Sequence, residues 1–186
     1  MKFVVGLGNP GAEYRNSRHN LGFIALDAIA KDFLLEFKLD QNSRSMRTTL
    51  SLDKEDLILC KPLTYMNLSG ESVLKLKTIN KLAARDILVI CDDVRLELGR
   101  LRIRAKGSSG GHKGLNSIIK VLGSDEFSRL RVGVSLPKKK QDLSDYVLTD
   151  FSSSEKKIIR STLDKAKEAV LCWLKEGTET AMNKYN

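Results

Sequence analysis

Lys2-Phe3-Val4-Val5-Gly6-Leu7-Gly8-Asn9-Pro10-Gly11 decides the fold. Its apolar run from Phe3 to Leu7 has no polar alternation, which predicts a strand buried on both faces. Turn residues follow at once, so the strand feeds a loop. Further on, Ile87-Leu88-Val89-Ile90-Cys91 is a second continuous apolar run, and it stops at Asp92-Asp93. Two such strands with helical spacing between them (Leu21, Ile24, Ala25, Ala28 and Ile29 within 21–35) point to a sheet covered by helices.

The flanking segments fit that plan. Met46–Leu52 and Leu57–Lys61 read as a hairpin across Asp53-Lys54-Glu55-Asp56. Ser69 is placed to cap a helix to about Leu82, with Val73, Leu76 and Ile79 or Asn80 on successive turns. Arg100-Leu101-Arg102-Ile103-Arg104 alternates strictly, so Leu101 and Ile103 face a core and the arginines face away. Leu115–Leu122 reads as a short helix. In Arg129–Val134, Leu130, Val132 and Val134 share one side. Ser152 with Glu155 forms a capping box that opens a helix to about Lys175, striped by Ile159, Leu163, Ala166, Val170 and Trp173, with Gly177 as its stop. The expected architecture is α/β: a single domain over 1–186 with a twisted mixed β-sheet and helices on both faces. In such folds ligands sit beyond the carboxyl ends of the strands, which nominates the loops after Leu7, Lys61, Cys91 and Arg104.

Composition narrows the partner. The 186-residue chain carries a formal charge of +9, and 12 basic against 3 acidic residues fall between Arg95 and Lys140. A regional positive field of this kind attracts a polyanion. Arg100, Arg102, Arg104, Lys106 and Lys138-Lys139-Lys140 are its candidate contacts, against the plainer reading of a solvated face. No apolar run is long enough for a membrane helix. Met1–Gly6 reads as a strand rather than a signal peptide. Cys60, Cys91 and Cys172 have no disulfide or zinc spacing and read as small buried hydrophobes in a reducing, cytoplasmic compartment.

Two motif matches mislead. Gly6-Leu7-Gly8-Asn9-Pro10-Gly11 fits the dinucleotide fingerprint, but Pro10 interrupts it and no helix opens on the glycines. These glycines are better suited to a tight turn and close approach to a ligand. Gly107-Ser108-Ser109-Gly110-Gly111 fits the nucleophile elbow. The only histidine after Ser109 is His112, three residues on, where a triad partner would come from a separate loop. That run is better suited to presenting backbone N–H groups to phosphate.

The two histidines, His19 and His112, both lie in polar loops. Asp92-Asp93 end the central strand. If that strand neighbours the first, one of these aspartates can reach the loop after Leu7, fix the His19 tautomer and leave the other nitrogen as a base. Asn9, Asn20 and Asn67 lie at neighbouring strand ends, where amides can hold a carbonyl or a developing oxyanion. Two histidines and two aspartates lack metal-ligand spacing. The expected site therefore uses neither metal nor organic cofactor. His112 is expected to be a loop residue near the substrate with no derivable catalytic role.

In these loops the chain resembles the bacterial peptidyl-tRNA hydrolase family. The stretches that carry the resemblance are Val5–Tyr14, Ser17–Gly22, Pro62–Gly70, Gly107–Gly114 and Arg129–Gly133, in order over nearly the whole chain. The resemblance implies hydrolysis of the ester that joins a peptide to the 3′ end of tRNA, freeing tRNA for translation, by a monomer. It implies that His19 activates water, that Asp92 supports it, and that Asn9 distinguishes N-blocked from free aminoacyl groups. Tyr14, Tyr65, Asn67 and Lys113 would contact the tRNA or the peptidyl end, with Met66 as a pocket wall, Asn20 nearby, and Arg131 and Lys106 on the tRNA surface. Two departures stand out. Lys113 replaces the family's usual asparagine, which adds a charge and removes an amide acceptor. Arg95 replaces an aspartate after the acidic strand end. A noncatalytic RNA-binding module and a nucleotide-dependent enzyme are the rival readings.

Overall fold

The computed structural model describes residues 1–52, 55–137 and 140–186. Its strands are β1 (Lys2–Gly6), β2 (Lys38–Asp40), β3 (Ser45–Leu52), β4 (Glu55–Pro62), β5 (Ile87–Asp93), β6 (Leu101–Arg104) and β7 (Ser128–Gly133). They form one mixed sheet in the order β2-β3-β4-β1-β5-β7-β6. The central four, β4, β1, β5 and β7, are parallel. The antiparallel pairings of β2 with β3, β3 with β4, and β6 with β7 complete the two flanks. The tip of the expected β3–β4 hairpin, Asp53-Lys54, lies outside the described residues.

Five helices, α1 (Leu21–Asp32), α2 (Ser69–Ile79), α3 (Lys113–Leu122), α4 (Leu143–Val147) and α5 (Ser153–Tyr185), complete the described fold. Alternation along the strands explains the two cores. Val4, Leu59, Leu88, Ile90, Leu130 and Val132 point to one face and pack with α1 and α5. Phe3, Val5, Ile58, Cys60, Ile87, Val89 and Cys91 point to the other and pack with α2 and α3. The strands are apolar on both sides because both faces are covered. The mixed sheet with helices on both faces is as the alternation predicts.

The glycines of the first loop have a structural use. A Cβ on Gly6 would lie 2.3 Å from the carbonyl oxygen of Gly22, and one on Gly22 would lie 2.2 Å from the Leu7 nitrogen. Backbone meets backbone there, so α1 sits directly against the end of β1. The close approach expected toward a ligand is made instead to the protein's own helix. Two short 3₁₀ turns, Ala12–Tyr14 and Arg18–Asn20, fill the loop before α1.

Several boundaries differ from the sequence reading. α1 ends at Asp32 and α2 at Ile79, rather than at Leu35 and Leu82. In each case a non-glycine residue, Leu34 or Lys81, takes a φ of 54°. The next residue then donates back to the helix, Leu35 to Ala30 and Leu82 to Lys77. This is the terminal motif that usually employs glycine. Ser69 does not cap α2; it is the first helical residue, and its hydroxyl donates to the Met66 carbonyl at 2.9 Å. Gly177 breaks α5 with a φ of 87°, but helix resumes to Tyr185. The Lys2 ammonium caps the break by donating to the Trp173 and Leu174 carbonyls. β2 and α4 were not foreseen.

Candidate active site

Because β4, β1, β5 and β7 are parallel, their carboxyl ends share one edge of the sheet. The loops after β1, β4 and β5 meet there, as expected. The loop after β6 reaches it differently. β6 runs antiparallel to β7, so its carboxyl end lies at the opposite edge. The chain then climbs alongside β7, held by two arginines. Arg129 donates to the Gly107 carbonyl, and Arg131 donates to those of Ser108 and Ser109 at 3.2 Å each. The Gly/Ser run is thus fixed through its carbonyls, and it carries His112 to the start of α3.

At that edge lies a cavity of about 790 Å³, lined among others by Asn9, His19, Asp92 and His112. Asp92 is 4% exposed at the end of β5. Its Oδ1 lies 2.9 Å from His19 Nδ1 and 3.1 Å from His112 Nε2. The two rings stand 4.8 Å apart. Burial pushes the Asp92 carboxyl up, but the hydrogen bonds from the two facing histidines, and the positive charge these rings carry once protonated in acid, outweigh it and hold the group well below the usual carboxylate range. An ionised carboxylate only accepts, so both ring nitrogens that face it carry protons.

The two rings then differ at their other nitrogen. His112 Nδ1 accepts from the backbone N–H groups of Gly114 (3.1 Å) and Leu115 (3.3 Å), capping α3. His19 lines the cavity with Nδ1 occupied, which leaves Nε2 bare for a ligand or water. His112, expected as a loop residue near the substrate, lies just before α3 and beside the cavity. It bonds Asp92 directly, an arrangement that depends on β6 running antiparallel and the following loop climbing back.

His19, Asp92 and His112 are also the described cluster that could hold a metal, with ligand atoms within 4.8 Å of one another. The fit is poor on chemical grounds. A metal on His112 Nε2 would drive its proton to Nδ1, where it would break both cap bonds of α3. Cys91, next to Asp92, is fully buried, and burial pushes its thiol far up.

Asn9 is oriented by its neighbours. Its backbone N–H donates to Asn20 Oδ1 at 2.8 Å, and Asn20 Nδ2 returns a bond to the Asn9 carbonyl at 2.9 Å. Asn9 Oδ1 accepts from the Met66 N–H at 2.8 Å. Only an oxygen can accept there, so Asn9 Nδ2 is the free end of the amide, beside the cavity. Asn20 does not line the cavity; it positions Asn9. Tyr65, Met66, Asn67, Lys113 and Arg131 line it, and Met66 is buried as a wall. Tyr14, in the first 3₁₀ turn, and the exposed Lys106 lie outside the lining, apart from the expected cluster. Arg131 pairs with Asp93 Oδ2 at 3.2 Å. Lys138 and Lys139 of the basic candidates lie outside the described residues.

Asp93 of the acidic strand end and Ser109 of the Gly/Ser run also line the cavity, and so do residues not singled out from sequence: Val94 and, from α4 and its end, Leu143, Ser144, Val147 and Leu148. The only sequence signal of Val94 is its adjacency to Asp92-Asp93. α4 carries no charge or glycine pattern that marks a wall.

A model of the peptidyl-tRNA hydrolase family matches residues 3–186. The chain is 44% identical over 186 residues to a peptidyl-tRNA hydrolase of Desulfitobacterium hafniense, covering all of both chains. It is 46% identical over 187 residues to one of Chlorobium phaeovibrioides, covering all of this chain and 98% of the relative. The crystal structure of peptidyl-tRNA hydrolase from Acinetobacter baumannii superposes with a TM-score of 0.93 at 32% identity, over all of this chain and 94% of that one.

Proposed function

The chain belongs to the peptidyl-tRNA hydrolase family of hydrolases, and from that premise we propose that it cleaves peptidyl-tRNA with water activated by His19. The observation that carries this is the one-sided engagement of His19: Nδ1 bonds Asp92 at 2.9 Å and Nε2 is left for the cavity. Nε2 takes a proton from water as the oxygen attacks the ester carbonyl. The Asp92 carboxylate stabilises the imidazolium that forms. Asn67, which lines the cavity, is the donor available to the carbonyl oxygen as it gains charge. When the tetrahedral species collapses, the tRNA ribose oxygen leaves and takes the proton back from His19. The products are a peptide with a free carboxylate and tRNA with a free hydroxyl.

General-base assistance contributes roughly 10²–10⁴ in rate, so positioning and charge stabilisation supply the rest. Asn9 is suited to reading the N-blocked group because its amide is held at both backbone and side chain. The basic residues from Arg95 to Lys140 supply the field for the RNA arm, with Arg104 and Lys106 exposed. Hydrolysis of N-blocked and unblocked aminoacyl-tRNA, compared in wild type and Asn9→Ala, tests reaction and selectivity together. Wild type should favour the blocked ester strongly, and the variant should lose that preference. Equal hydrolysis of both esters by wild type contradicts the reading. Raising salt should weaken tRNA binding steeply, as release of counterions requires; a flat response contradicts the RNA surface.

A further inference from the structure

We infer that Arg18 is a positioning residue: it locks the turn that carries His19 to the start of α5 and to α4, so that the imidazole meets both Asp92 and the cavity. The inference rests on the reading of His19 as the base. Arg18 directly precedes His19 in the 3₁₀ turn Arg18–Asn20, and it is 5% exposed. One guanidinium nitrogen donates to both carboxylate oxygens of Glu155 at 2.9 Å. The other donates to the Thr149 carbonyl (3.1 Å), the Thr149 hydroxyl (2.7 Å) and the Asp150 carbonyl (2.6 Å). The plane of the group also lies near the rings of Tyr146 and Phe151, 4.5 and 5.0 Å from their centroids. The Arg18 N–H bonds the Thr149 carbonyl, and Ser17 bridges Asp150, so backbone and side chain make the same tie.

Each partner is itself anchored. Glu155 is the third residue of α5, and its carboxylate also accepts from the Ser152 N–H, closing the capping box. Tyr146, in α4, donates its hydroxyl to the Val134 carbonyl just beyond β7. α4 and its end supply Leu143, Ser144, Val147 and Leu148 to the cavity. A rigid, multiply bonded cation one residue from the proposed base is thus tied to the wall that substrate touches. A planar fork makes these contacts, and a lysine cannot reproduce them.

The test compares Arg18→Lys and Glu155→Gln with wild type in steady-state hydrolysis of N-blocked aminoacyl-tRNA and in the NMR signals of the two protons that face Asp92. Misplacing a catalytic group by about an ångström costs up to ~10²-fold. kcat should fall about tenfold or more while KM stays within about twofold. The His19 Nδ1–H signal should shift or broaden, and the His112 Nε2–H signal should stay. Glu155→Gln keeps an oxygen for the capping box, so it answers the question if Arg18→Lys fails to fold. Lower thermal stability with unchanged kcat and unchanged His19 signal overturns the inference. His19→Ala separates the two ideas. If it is inactive while the Arg18 and Glu155 variants are unimpaired, only the inference falls; if it turns over normally, the proposed mechanism falls and takes the inference with it.

Discussion

The turn before α1 and the loop before α3 each bring a histidine to the same oxygen of Asp92, but they leave opposite nitrogens for other work. In the first, the ring sits on a 3₁₀ turn and its second nitrogen is left to the cavity. In the second, the ring caps a helix and its second nitrogen is used by two backbone N–H groups. The same residue type with the same carboxylate partner therefore has two different capacities. A bare nitrogen beside a cavity can take a proton from water. A nitrogen already accepting from the backbone holds structure and leaves its ring as a fixed donor to Asp92.

The largest expected break in that comparison comes from removing each ring in turn. His19→Ala should lower kcat by roughly 10²–10⁴ with tRNA binding nearly intact. His112→Asn should cost far less, on the order of tenfold, because asparagine keeps a cap acceptor and loses only the bond to Asp92. Single-turnover hydrolysis measures both, and equal losses would mean that the two rings are not distinct in role. His112→Ala should additionally lose about 1 kcal/mol of stability through the uncapped α3, which chemical denaturation reads.

Asp92 sharpens the comparison through pH. Its folded value lies below its unfolded one, because the two histidines outweigh burial. Such a group adds stability above the unfolded value, near pH 4, and loses it as pH falls toward the lower folded value. Wild type should therefore lose stability on acidification below about pH 4 more steeply than Asp92→Asn. Parallel curves for the two proteins would show that Asp92 is not held ionised by its neighbours. The smallest effect belongs to Lys113→Asn. Lys113 is exposed, and its charge is felt by Asp142. Removing its charge should raise KM at low salt by a few-fold and leave kcat nearly unchanged. A large fall in kcat would place the ammonium on the developing oxyanion instead.

The strands were legible because burial on both faces writes an unbroken apolar run, and β1 and β5 are read from that alone. The ends of α1 and α2 were not legible, since Leu34 and Lys81 make left-handed turns that sequence associates with glycine. The apolar residues after them, Leu35 and Leu82, fold back and look like one more helical turn. The His19–Asp92 contact could be anticipated from strand adjacency. The His112 contact could not, because it depends on β6 running antiparallel and on two arginines holding the following loop by its carbonyls. Arg18 was equally hidden: its carboxylate partner lies 137 residues away, beyond any local spacing.

The account turns most directly on which nitrogen of each ring carries its proton, which ¹⁵N chemical shifts of the imidazoles report at neutral pH. The predicted result is the tautomer of His19 with the proton on Nδ1 and a bare Nε2, beside the tautomer of His112 with the proton on Nε2 and a bare Nδ1. A proton on His19 Nε2 with Nδ1 bare would contradict the assignment of that nitrogen as the base.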